Sequence, residues 1–268
     1  MPLDDIGPWS EIKLEIIRKY ASAYSSILSG QGGLHYVYID AFAGPGVHVT
    51  RSAGEYVAGS PLNALLVQPP FKEYFLIDLD SDRVESLRTI VGNRPDVHIL
   101  PGDCNILLLN KVFPQVQWVD YRRGLCLLDP YGLDLDWRVM GTAGGMRSIE
   151  MFLNFPVMDM NRNVLWQDPT GVSPGEIARL TRFWGDDSWR NVMYSTTGNL
   201  FGWEEKSGNN ETIARAFQKR LKEVAGFKYV PDPLPMRNSK GNIIYYLFFA
   251  SQNSTGGKIV NEVFGKYR

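Results

Sequence analysis

Two rhythms of apolar residues run through this chain. In SEIKLEIIRKYASAYSSIL, Ile12, Ile16, Tyr20, Ala23 and Ile27 recur at helical spacing, and Leu14, Ile17, Ala21 and Leu28 widen the stripe. Ser10 is the predicted N-cap, and the glycines from Gly30 to Gly33 end the segment. So broad a stripe predicts a helix packed on a large surface, with Lys13 and Lys19 facing either a ligand or solvent. After it the rhythm shortens to compact apolar runs: Tyr36 to about Ala41, Tyr74 to Ile77, Val97 to Leu100, Leu125 to Leu128, and Ile149 to about Phe155. These predict buried strands, with SDRVESLRTIV a helix between the second and third.

The first four runs share a further property. They lead into Asp40, Asp78, Asp103 and Asp129 in turn. Open α/β sheets bind ligands at the carboxyl ends of their strands, so acids at successive strand tips predict a ligand site along one sheet edge. The fold class that follows is α/β and Rossmann-like, mostly parallel, with helices on both faces. Ser173-Pro174 opens another helix, NETIARAFQKRLKEVA is amphipathic, and FKYVPDPLPMRN with Ile243 to Ala250 predicts a late antiparallel pair. Pro233 and Pro235 confine the first member of that pair to an edge. The chain predicts one domain over 1–268, with an N-terminal helical extension at 1–33 and a tryptophan-rich insert or cap at 157–210.

Composition narrows the classes. The 44% apolar fraction supports a real core, and the 12% aromatic content argues against disorder. A net charge of -1 supplies no global field toward nucleic acid or membrane, although Arg122-Arg123, Arg179-Arg182 and Lys219-Arg220-Lys222 are local basic groupings. Cys104 and Cys126 predict buried free thiols in a reducing compartment. Without an export signal or a long apolar span, the expectation is a soluble cytoplasmic protein with no membrane partner. His35, His48 and His98 lack metal-ligand spacing, so no metal is expected.

The chemistry centres on YVYIDAFAGPG. Asp40, Phe42, Ala43, Gly44 and Gly46 form a D-x-F-A-G-x-G turn rather than G-x-G-x-x-G, and the segment VHVTRSAGEYVAG separates it from the helix expected at GSPLNALLVQ, with Ser60 as N-cap. An acid before the glycines repels a diphosphate. A cationic donor without phosphates, such as S-adenosylmethionine, suits it better: the Asp40 carboxylate holds the amino group, and the glycines admit the amino-acid part. Asp78 takes the ribose, Asp103 the adenine amino group, and the Cys104 backbone reaches the ring. In DPYG, Asp129 accepts a hydrogen bond from an acceptor amine, Pro130 stiffens the turn, and Tyr131 offers a face for a planar base.

Taken together, EIKLEIIRKY, YIDAFAGPG, GSPLNAL, LIDLD, GDCN, LLDPYG, FLNFPVMDMNRN and YYLFFASQNSTGGKI resemble class I S-adenosylmethionine-dependent methyltransferases, and within them the bacterial three-Cys-motif partner protein family. The resemblance implies a seven-stranded sheet with a reversed last strand. It also implies a cysteine-motif partner protein and substrate-side roles for Asn154, Asn161 and Arg162. Amino-directed nucleic-acid enzymes carry two prolines where this chain has DPY, which leaves the accepting atom open between a base amino group and another nucleophile. Three functions stay in play: a methyltransferase acting on a nucleic-acid base or nucleotide, a catalytically silent partner of another protein, and an NAD-dependent oxidoreductase.

Overall fold

The five apolar runs become parallel strands of one sheet in the computed structural model, which describes residues 5–50, 56–195 and 205–268. They are β1 (His35–Asp40), β2 (Glu73–Asp78), β3 (Val97–Pro101), β4 (Arg122–Leu128) and β5 (Ile149–Phe155). The late pair, β6 (Leu234–Arg237) and β7 (Ile243–Ala250), completes seven strands in the spatial order β3-β2-β1-β4-β5-β7-β6. β7 pairs antiparallel with β5, with Tyr246 opposite Phe155, and β6 lies antiparallel at the edge, where Pro235 is tolerated and Pro233 precedes the strand. This is the expected Rossmann-like, mostly parallel seven-stranded sheet with its last strand reversed.

Side chains alternate between the two faces of β1 at the strand period. Tyr36 and Tyr38 enter one core with α1 (Pro8–Ser29) and α10 (Ser254–Gly265), while Val37 and Ile39 enter the other. On the first face Tyr20 lies 5.2 Å edge-on from Phe152 and 4.7 Å from Phe249. On the second, Phe155, Phe183, Phe217 and Phe248 join the sheet to α7 (Pro174–Trp184) and α9 (Asn210–Glu223). Burial on both faces explains why these strands read as continuous apolar runs.

The long first helix forms, but in a different phase. Its buried stripe runs through Leu14, Ile16, Ile17, Tyr20, Ala21, Tyr24 and Leu28, leaving Ile12 and Ile27 exposed at the edges. It starts at Pro8 after Gly7 rather than at a Ser10 cap, because proline suits a first turn whose N–H groups lack intrahelical partners. Likewise α2 (Ser60–Leu65) is capped by Gly59 and not by Ser60. The polar segment before α2 contains Val47–Thr50 and Tyr56–Ala58, which pair antiparallel, with Asp5–Ile6 beside the first. Residues 1–4 of the expected extension, 51–55 of this segment and 196–204 of the expected insert lie outside the described residues. Elsewhere in that insert, Leu180, Phe183, Trp184, Trp189 and Met193 are fully buried in the larger core. Among the described residues no helix is long and apolar enough to cross a membrane.

Candidate active site at the strand tips

The glycine turn follows β1, and two residues in it need glycine. Gly44 has φ +65° and Gly46 φ +88°, a region in which a Cβ is strained. Gly46 also accepts a backbone hydrogen bond from Gly59, 2.7 Å, so the intervening segment is closed at its base. The start of α2 therefore returns to the turn despite the 13 residues between Gly46 and Ser60.

A cavity of about 240 Å³ opens at this point. Phe42, Ala43 and Gly44 line it from the turn, Asp129, Pro130 and Tyr131 from the tip of β4, and Asn154 from β5. α1 adds Trp9, Ser10, Lys13 and Leu14, α2 adds Ser60, and β7 adds Ile244 and Tyr245. Larger concavities of about 780 and 640 Å³ lie between α9 and β6 and at the opposite end of the sheet, but neither is lined by a strand-tip acid, as the smaller one is by Asp129. Position along the sheet edge thus outweighs size in locating the site.

Within the cavity, Asp129 Oδ2 forms an ion pair with Lys13, whose side chain is 9% exposed. Its Oδ1 accepts a 2.8 Å hydrogen bond from Asn154 Nδ2. Asn154 Oδ1 is buried with no partner. From its sequence position Lys13 is open between ligand and solvent, and Tyr245 carries no role there, yet its ring centroid lies 5.6 Å from the Lys13 ammonium. In the sequence Tyr245 is only one position of a strong apolar strand, and its neighbourhood depends on the reversed pairing of β7.

The remaining acids stand around this cavity rather than in it. Asp40 is fully buried behind the turn, where it accepts from the Phe42 N–H at 3.2 Å and from the Ser60 hydroxyl. Burial pushes its carboxyl up to about 7, against the opposing pull of those hydrogen bonds. Asp78 accepts from Gly44 N–H at 2.7 Å and Asp80 N–H at 2.9 Å, which ties the tip of β2 to the glycine turn. Asp103 Oδ1 caps the next helix through Asn105 N–H at 2.7 Å and Ile106 N–H at 3.4 Å. Cys104 follows it, buried, its thiol pushed up to about 12 by desolvation.

Tyr131 leans outward over the edge, its hydroxyl 2.8 Å from Arg83 of α3 (Ser81–Val91) and its ring 5.2 Å from that guanidinium. The pair joins the β4 tip to the helix after β2. Asn161 and Arg162 are not brought to the cavity. Asn161 donates to Val157 O and Asn210 Oδ1 and accepts from Lys206 at 2.8 Å, while Arg162 is exposed.

The basic groupings are largely neutralised internally: Arg122 pairs with Glu73, Arg179 with Glu176 at 2.7 Å, and Arg220 with Asp186 at 2.9 Å. Arg123 instead stacks on Trp118, 3.3 Å from the ring centroid.

Comparison with known proteins gives structural likeness only. A Legionella pneumophila protein of family model DUF519 superposes with TM-score 0.49 at 11% identity, covering 95% of this chain and 92% of its own. A candidate methyltransferase of Thermobifida fusca gives 0.42 at 16% identity over 92% and 84%. A candidate S-adenosylmethionine-dependent methyltransferase of Listeria monocytogenes gives 0.43 at 11% over 88% and 99%. No family model matches the chain, and no match is found among curated proteins. Likeness this shallow carries nothing about the chemistry of the site.

Proposed function

We propose that this protein is an S-adenosylmethionine-dependent methyltransferase acting on an amino group of a nucleic-acid base or nucleotide. The observation that carries the reading is Asp129, held at the β4 tip beside the glycine turn, with an unpartnered Asn154 carbonyl oxygen next to it. Both are acceptors, as an N–H-bearing substrate requires.

The donor set suits a phosphate-free cation. Asp78 holds its carboxylate against the glycine turn, where it opposes a diphosphate, and Lys13, the cation among the cavity-lining residues, is already paired with Asp129. Asp78 and Asp103 face the ribose and adenine side, and Gly44 admits the amino-acid part. When bound, S-adenosylmethionine supplies an electrophilic methyl carbon on a sulfonium. Asp129 would orient the acceptor nitrogen by accepting one of its N–H bonds, leaving the lone pair free to face that methyl carbon. The surplus proton leaves the nitrogen for solvent, and positioning with exclusion of water supplies the rate.

The motif resemblance supports membership of the three-Cys-motif partner family and association with a cysteine-motif protein as part of this proposal. Calorimetry with S-adenosylmethionine tests the first step. The expected result is binding that D78A weakens; absence of binding, with D40A and D78A indistinguishable from the parent, defeats the reading. Transfer of labelled methyl to RNA, DNA or nucleotides tests the second. Cofactor binding without transfer to any of them favours the silent-partner function, and NADH binding favours the oxidoreductase.

A further inference from the structure

Lys13 is 7% exposed, and its ammonium meets Asp129 Oδ2 inside the cavity. Asp129 thus presents little uncompensated charge to a ligand, because a close cation is built into α1. Its second oxygen is held by Asn154 Nδ2. An ion-paired carboxylate has no proton to give, so the Asn154 amide must turn its NH₂ toward Asp129 and its carbonyl away. That carbonyl oxygen is left without a partner, an unusual state for a buried polar atom.

We propose that Lys13 is a specificity-determining residue: by cancelling the charge of Asp129 it makes the acceptor subsite take a neutral, planar amino group and reject an alkylammonium. Asp129 retains free lone pairs on both oxygens, and Asn154 Oδ1 adds another acceptor, so the two N–H bonds of one amino group find two partners. An oxo group at that position sets acceptor against acceptor and leaves buried groups unpaired. An alkylammonium carries a charge that the pair no longer compensates, and it meets the fixed ammonium of Lys13. Tyr245, over the Lys13 ammonium, keeps that charge in place. The inference rests on the methyltransferase reading for the fate of the amino group, but not for its recognition.

The test is binding of 9-methyladenine, 9-methylhypoxanthine and butylammonium, measured by calorimetry with saturating S-adenosylhomocysteine to fill the adenine side. The parent protein is expected to bind 9-methyladenine about tenfold or more tightly than either competitor. K13M is expected to reverse the order of 9-methyladenine and butylammonium, and K13R to restore the parent order. Undetectable binding of 9-methyladenine, or a parent that favours butylammonium, overturns the proposal even if K13M fails to fold. A folded K13M with the parent order overturns it too. Failure of S-adenosylhomocysteine to bind counts against the methyltransferase reading alone, since the preference among the three probes is then read in the unfilled protein.

Discussion

Lys13 and Asp129, 116 residues apart in the chain, form an ion pair that fastens α1 to the tip of β4. Side-chain exposures of 9% and 23% mean that water screens it little. Removing one partner alone leaves a desolvated charge, whereas removing both does not. In urea unfolding, K13M and D129L are each expected to destabilise, and the double variant to recover about 1–3 kcal/mol of the summed loss. Strict additivity would show that the pair does not hold α1 in place.

Asp40 supplies a pH dependence. Its carboxyl titrates near 3.8 in an unfolded chain and at about 7 in the fold, with burial the main cause. Below about pH 4 it is protonated in both states, and between there and about 7 the folded chain holds a proton that the unfolded chain has released. Stability therefore falls as pH rises through that window. D40N is expected to gain on the parent across it, by up to about 4 kcal/mol. Denaturation series from pH 4 to 8 measure the difference, and parallel curves would refute it.

Gly46 combines φ +88° with a Cβ position only 2.9 Å from Leu87 Cδ1. G46A is expected to lose about 1–3 kcal/mol, mostly through the backbone conformation, since Leu87 can shift. Gly32 has open space around its Cβ position and no positive φ, so G32A is the matched control, expected to lose nothing. Thermal unfolding of the two variants settles the comparison.

Asp103 separates a structural role from a ligand role. Asparagine caps a helix as well as aspartate does, so D103N should keep the parent melting temperature, while D103A loses about 1 kcal/mol. With Oδ1 committed to the cap, asparagine turns an N–H donor toward the adenine amino group. D103N is therefore expected to bind S-adenosylmethionine more weakly than the parent at equal stability, and equal affinity would confine Asp103 to its cap.

The Arg83 and Tyr131 contact is exposed, so Y131F should change stability by less than about 0.5 kcal/mol. Because it joins the tip of β4 to the helix that follows Asp78, loss of the 2.8 Å hydrogen bond is expected to speed cofactor release about three- to tenfold in stopped-flow measurements.

Much of the framework was legible because the sheet is buried on both faces. β5 and α3 were bounded to the residue, and the strand-end acids marked the edge that carries the cavity. The phase of α1 was not legible: apolar residues sit on both borders of its stripe, and only the packing partner decides that Ile12 and Ile27 stay outside. Lys13 was ambiguous for a related reason, since a lysine on a helix defaults to solvent unless a carboxylate elsewhere in the chain claims it. Helix starts were misplaced because serine is a strong cap in isolation, yet Pro8 and Pro61 allow the preceding glycines to serve. The return of α2 to the glycine turn rests on contacts between residues far apart in the chain, Gly59 with Gly46 and Ser60 with Asp40, which local patterning does not encode.

The reversed strand β7 has a consequence for synthesis. Tyr245 and Ile244 form a wall of the cavity, although the strand-end acids all precede residue 130. A chain still being translated can present every acid and the glycine turn while its cavity remains open on that side. Completion of the pocket waits for Ile244 and Tyr245, so the acceptor subsite cannot close before the last strand of the sheet is made.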